Sequence, residues 1–323
     1  MKVIPWDGQP ISSPGIYSGV PMEVYHSANL CVGPSVSSSG LRTIFTKSPM
    51  AFWVYSAMNP NRLEEPDKAA YIEGRATHHL VLGEADFSRH FIARPEKYLG
   101  KAWNSNRDDC AEWLELAAKN GLTVLKPAQV EMIKGMAGVL PWQKGLEDSG
   151  LANSPLVRAG ALQGLIEHTI IAFDEETGLW LKSRPDVIPT DSRDFNDLKT
   201  GADVSDRAIS KTLDDRRYDM QADLASLCLE QATGHRFDSF GFVFVEKSIP
   251  HPVNVIELDP DDLQAAAQDN RTALRVLARC LETGRWPGPA GQRGDAVTIK
   301  RSDWSRTRAA DHRARLEQEL ENA

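Results

Sequence analysis

The chain has 323 residues, enough for one large domain or two small ones, and its 41% hydrophobic and 25% charged residues are ordinary for a globular protein. Its net charge of −8 means that any nucleic-acid surface must come from local concentrations of Lys and Arg, not from an overall basic character. No apolar run approaches the length that spans a bilayer and the N-terminus lacks a signal-peptide pattern, so no membrane association and a cytoplasmic location are expected.

In chain order, the first half reads as helical. "PSVSSSGLRTIF" sets Ser N-caps before an apolar-periodic segment, and "KSPMAFWVYSAM" places Ser48 at a cap and Pro49 in the first turn. "DKAAYIEGRATHHLVLG", "RDDCAEWLELAAKNG" and "PAQVEMIKGMAGVL" make three further helices. After about Gly160 the period changes. "LIEHTIIAF" and "LWLKSRPDVI" read as strands joined by the turn "DEETG", and "DFNDLKT" is a third strand. A helical stretch from about Asp203 to Thr233, broken near Asp214, precedes the strands "SFGFVFVEK" and "PVNVIELD". "DPDDLQAAAQDNRTALRVLARCLETG" closes the order as a helix ending at Gly284. This order predicts an α+β fold: a central mixed sheet flanked by helices, with residues 1–160 mainly helical, 161–288 carrying the catalytic sheet, and 289–323 an Arg-rich tail or helix.

The four cysteines are scattered without C-x-x-C or Cys/His pairing, which argues against a zinc ribbon or an iron–sulfur site. The carboxylates are more informative. In "RPDVIPTDSRDFNDLKT", read as two short strands joined by a polar turn, Asp197 and Lys199 are two apart and share a face of their strand. Asp186 ends the preceding strand, where a twisted hairpin brings it towards Asp197. Glu167 lies one strand earlier, with His168 beside it as a rival. Converging carboxylates repel one another unless a cation relieves them, and oxygen ligands without thiolate favour Mg²⁺ or Mn²⁺. Such a site with an adjacent lysine suits phosphodiester hydrolysis. A surface hairpin with a salt bridge would present the same tripeptide.

"RPD" followed by "DLK" in this strand pattern resembles the signature of the PD-(D/E)xK nuclease superfamily. The segments "YHSANLCVGPSVSSSGLRTIFTKSPMAFW", "EGRATHHLVLGEADFSRHFIARPEKY" and "ETGRWPG" resemble, in the same order, elements of RecE-type phage exonucleases, over about Gly15 to Gly288. The resemblance implies a single nuclease domain over 1–288, with His78, Glu167, Asp186 and Asp197 as metal-site residues and Lys199 as the catalytic lysine. It selects His78 through a Gly-x-x-x-His pattern starting at Gly74, although composition alone leaves His79 open. Related RecB-type nucleases place a Gln four residues before a Tyr on the helix after the lysine strand. Here Gln221 is present, position 225 is alanine, and Tyr218 lies one turn earlier on the same face.

The expected activity is thus a Mg²⁺- or Mn²⁺-dependent exodeoxyribonuclease on double-stranded DNA. The family further implies 5′→3′ polarity, a RecT-type single-strand annealing protein as partner, and a homo-oligomer that could be ring-shaped. An endonuclease with the same chemistry and a non-catalytic DNA- or protein-binding module are the alternatives. Gln221, Tyr218, Arg216 and Arg217 are candidate DNA contacts. The Arg-rich tail from Arg293 to Arg315 is expected to meet DNA or a partner; taken alone, its charge is that of any solvated helix face.

Overall fold

The structure, a computed structural model, describes residues 1–64, 69–82, 87–140, 162, 164–291 and 293–321. They form two compact units, Met1–Gly288 and Pro289–Ala323. The first unit opens with strands β1 (Val3–Pro5) and β2 (Gly15–Ser18), one turn of helix α1 (Met22–Tyr25), and β3 (Ser35–Ser37). Helices α2 (Ser38–Thr46), α3 (Pro49–Tyr55) and α4 (Ala69–Leu82) follow. Short strands β4 (Phe91–Ala93), β5 (Lys97–Tyr98), β6 (Lys101–Ala102) and β7 (Thr123–Leu125) alternate with α5 (Asp108–Lys119) and α6 (Pro127–Gly138).

The second half supplies β8 (Leu165–Ile166), β9 (Thr169–Asp174), β10 (Leu179–Ser183), β11 (Val187–Ile188) and β12 (Asp194–Gly201). Then come α7 (Asp206–Arg216), α8 (Tyr218–Thr233), β13 (Ser239–Glu246), β14 (Val253–Glu257) and α9 (Pro260–Thr283). A mixed five-stranded sheet has the order β1-β2-β9-β10-β3, and a three-stranded sheet the order β12-β13-β14. In the latter, β12 runs parallel to β13 and β14 antiparallel to it.

The predicted mixed sheet flanked by helices is present, but it does not wait for the second half of the chain. Three strands of the five-stranded sheet come from the first 37 residues. Each is only three or four residues long, too short to show alternation; of the serines read as caps ahead of the helix, Ser35 and Ser37 lie in β3, and Ser37 takes the cap position of α2 without a side-chain hydrogen bond. Ser35–Ser37 extend because they pair in parallel with Trp180–Lys182 of β10, a partner about 145 positions away. The α3 cap is as read: Ser48 Oγ accepts from the Ala51 amide at 3.1 Å, and Pro49 opens the helix.

Strands β9 and β13 are buried on both faces and read as nearly continuous apolar runs. Phe195, Phe242 and Phe244 pack with α2, α8 and α9, whereas Leu198, Val243 and Val245 pack with α4 and α6. In β9, Ile170 and Ala172 join the first cluster; Ile171 turns to the other face, against Tyr17, Tyr25 and Trp180. All four cysteines are buried free thiols.

Two breaks set up the site. The antiparallel pairing of β9 with β10 stops at Ile170 and Ser183 and resumes between Ile166 of β8 and Val187 of β11. Between them, Glu167-His168-Thr169 faces Arg184-Pro185-Asp186. Pro185 has no amide to donate to a ladder, and Glu167 takes a left-handed backbone at φ 51°. Each of the two long strands read from the sequence is therefore two. The second break separates α7 from α8 at Arg217, not near Asp214. Arg217 is left-handed at φ 51° and is fixed by ion pairs to Asp219 and Asp269, both at 2.6 Å. No Gly, Pro or Asn marks this point in the sequence.

Candidate active site

The interrupted strands and α4 bring three ligand-type side chains to one place. His78, Glu167 and Asp186 each offer an atom, and these atoms all lie within 4.8 Å of one another. The left-handed turn at Glu167 leaves its amide donating to the Asp186 carbonyl at 3.1 Å, which fixes the two residues side by side. The rival His168 is turned back on its own chain, with Nδ1 2.8 Å from the Ile166 carbonyl oxygen. His78 Nδ1 sits 3.1 Å from Asp186 Oδ1. Its neighbour His79 projects elsewhere, against the rings of His90 and Phe91. The histidine alternatives left open by composition thus separate on geometry.

Asp186 is the joint of the site. Its Oδ2 accepts the Leu198 amide at 2.7 Å, on the edge of β12 away from β13. The predicted hairpin between this strand and the next does not form: β11 pairs with β8, and β12 with β13. A side-chain carboxylate stands on that edge where a strand partner would. Burial opposes its charge. The His78 and Lys199 cations and the Leu198 amide together hold its carboxyl below the usual range.

Asp197 and Lys199 share a face of β12, as their spacing predicts, and form an ion pair through Asp197 Oδ2. Asp197 Oδ1 receives two longer contacts, from the Asp186 amide at 3.5 Å and from Gln221 Nε2 at 3.3 Å. Burial, then the neighbouring Asp186 carboxylate, pushes the Asp197 pKa up. Burial pulls against the Lys199 charge, but Asp197 and Asp186 outweigh it and keep the ammonium protonated. For His78, burial lowers the pKa, and the attraction and hydrogen bond of Asp186 overcome it, giving about 8.

The helix after the lysine strand supplies Gln221, which meets Asp197, and Tyr218, whose ring centroid is 4.8 Å from Lys199 Nζ. Position 225 does not face this site: Ala225 is buried in the core. The Tyr218 ring stacks on Phe242, centroids 5.5 Å apart, and Phe242 lies 5.6 Å from Lys199 Nζ. Arg42 of α2 stands 5.7 Å from the Tyr218 ring and donates from Nη1 to the Arg216 carbonyl at 2.7 Å. Sequence reading missed Phe242 and Arg42. Phe242 is one of several strand phenylalanines, and Arg42 lies far from the lysine in the chain; no spacing signal identifies either. Of the two arginines predicted to meet DNA, Arg216 is exposed and Arg217 is engaged in the α7–α8 junction.

The donor set suits a divalent cation. A histidine nitrogen and carboxylate oxygens converge without a thiolate, as hard or borderline metals require. The two long contacts on Asp197 Oδ1 leave that oxygen the more available one of its carboxylate.

Among known proteins, a crystal structure of a "Putative exonuclease" from Eubacterium rectale is similar in fold, with a TM-score of 0.53 at 13% sequence identity, over 83% of this chain and 91% of that one. No curated protein matches the sequence. The family described as a PDDEXK-like domain of unknown function (DUF3799) matches residues 37–294, which include every residue of the site. The match over residues 37–294, with a partly buried His/Glu/Asp cluster and a lysine on the adjoining strand inside it, makes this chain a member of that PDDEXK-like family.

Proposed function

We propose that the protein is a divalent-metal-dependent exodeoxyribonuclease that hydrolyses double-stranded DNA from an end. The observation that carries this reading is the approach of His78, Glu167 and Asp186 to within 4.8 Å of one another, beside the buried Asp197–Lys199 pair. The exonucleolytic mode is supported by the resemblance of the Gly74–His78 helix and the N-terminal serine-rich segment to RecE-type enzymes, and by the naming of the Eubacterium rectale protein. In this reading, degradation runs 5′→3′ and leaves a 3′ strand for a single-strand annealing protein of RecT type. A homo-oligomer, ring-shaped in this reading, would keep the duplex threaded.

His78, Glu167, Asp186 and Asp197 would hold Mg²⁺ or Mn²⁺. Such an ion, when bound, polarises a phosphoryl oxygen and makes water a better nucleophile. The chain's own part is electrostatic. Lys199 Nζ, kept charged by Asp197 and Asp186, lies where it can stabilise negative charge growing on a phosphoryl oxygen. Asp197 holds the lysine, and Gln221 holds Asp197. Tyr218 and Phe242 line the lysine's other side, so its ammonium is turned towards the carboxylates.

The test is a linear duplex labelled at one 5′ end, incubated with Mg²⁺ or EDTA, with a covalently closed circle and an Asp197→Asn protein alongside. Metal-dependent loss of the linear DNA, with the circle intact and the variant inactive, is expected. Cutting of the circle would overturn the exonuclease reading in favour of an endonuclease. No cleavage of either DNA with Mg²⁺ or Mn²⁺ would overturn the enzyme reading altogether.

A further inference from the structure

The second unit carries α10 (Asp303–Glu321), a helix without a buried residue, all of which lies beyond the matched family segment. Its charges are not evenly spread. Arg301, Arg308 and Arg315 are spaced by seven, and with Trp304, Ser305 and His312 they line one groove. At 100° per residue the five helical positions, 304 to 315, fall in a sector about 100° wide, running about 16 Å along the axis, and Arg301 joins the groove from the segment just before the helix. Between 304 and 315 that sector contains no carboxylate. Asp303 and Asp311 lie outside it, as do Arg306 and Arg313, and Glu319 enters it only one turn beyond Arg315.

Trp304 is 69% exposed, and Arg308 lies over its ring at 5.0 Å. Arg301 is anchored through Nη2 to the Ser305 carbonyl and hydroxyl, at 3.1 and 3.0 Å. A large exposed aromatic ring flanked by arginines, in a protein of net charge −8, is a local basic surface with a stacking platform. A second copy of the helix would set arginine against arginine across this groove. A polyanion matches it.

We infer that this face of the C-terminal helix is a docking strip for the DNA backbone, resting on the reading of DNA as substrate. Arg301, Arg308 and Arg315 contact phosphates, and Trp304 stiffens Arg308 or stacks on an exposed base. The strip would hold duplex during successive cuts without taking part in cleavage.

Full-length protein is titrated in EDTA onto a fluorescent 30-base-pair duplex between 50 and 200 mM KCl. Replacing Arg301, Arg308 and Arg315 by Gln is expected to reduce the slope of log K against log[salt] by about 2.7, since each phosphate contact contributes about 0.9. Replacing Arg306 and Arg313 by Gln, off the strip, is expected to leave the slope within about 0.5 of the parent. An unchanged slope in the triple variant, or equal losses per arginine in both variants, overturns the inference. So does a triple variant whose only change is in oligomeric state. Cleavage of a short duplex in Mg²⁺ is read separately: its absence in the parent counts against the nuclease reading whatever the salt slopes show.

Discussion

Replacing Tyr218 by Leu should slow cleavage while leaving the fold in place, because the Tyr218 ring is a wall of the Lys199 site. Nζ lies 4.8 Å from the Tyr218 centroid and 5.6 Å from that of Phe242, with the lysine side chain only 16% exposed. A cation held against an aromatic face in so dry a setting is stabilised by about 2 kcal/mol. If that interaction positions the ammonium for the transition state, its loss corresponds to about a 30-fold fall in kcat, at 1.36 kcal/mol per tenfold. Tyr218→Phe keeps the ring and should stay within about threefold of the parent. The assay is single-turnover cleavage of an end-labelled duplex at saturating protein, with thermal melts of both variants to show that the helix still packs. An undiminished Leu variant would refute a positioning role. A Phe variant as slow as Leu would move the role to the hydroxyl and away from the ring.

Two further outcomes follow from the same geometry. His78→Gln removes the nitrogen donor from the cluster, and Mn²⁺ affinity measured by calorimetric titration should fall at least about tenfold, the size of effect produced by disturbing a ligand's surroundings alone. Lys182, buried on β10 and donating to the Tyr25 carbonyl at 2.6 Å, has its pKa pushed down by burial to about 8 from 10.5. Between those values the unfolded chain binds more protons than the folded one, so stability from this group rises with pH. Measured against Lys182→Met in urea melts, the parent should gain up to about 3 kcal/mol from pH 7 to pH 11. A pH-independent difference between the two would show that Lys182 is not desolvated.

The legible parts of this molecule were those with local signals. Asp197 and Lys199 share a face because a strand has period two, and Ser48-Pro49 opens a helix because a hydroxyl and a ring suit its first turn. Asp186 was legible through its distance from "DLK", although the hairpin expected to bring it there is absent. What could not be read depends on distant partners. β2 and β3 exist because β9 and β10 supply edges for them, β1 because β2 does, and His78 separates from His79 only once α4 lies against the strands. The break at Arg217 rests on Asp219 and on Asp269 from another helix, and Asp269 is 52 positions away. Glu167 gives no sign of its left-handed turn, which nothing in its residue type favours.

The bond from the Leu198 amide to Asp186 Oδ2 bears on how defective alleles should be read. The carboxylate that draws the site together also closes a seam between the β8–β11 pair and the β12 sheet. An alanine at position 186 would leave a buried amide without its acceptor, costing about 1–3 kcal/mol, and could part the seam before any chemistry is attempted. Asparagine keeps an oxygen for that amide while discarding the charge. In a mutational screen for activity, Asp186→Ala therefore scores cohesion and catalysis at once, whereas Asp186→Asn reports on catalysis with the seam left closed.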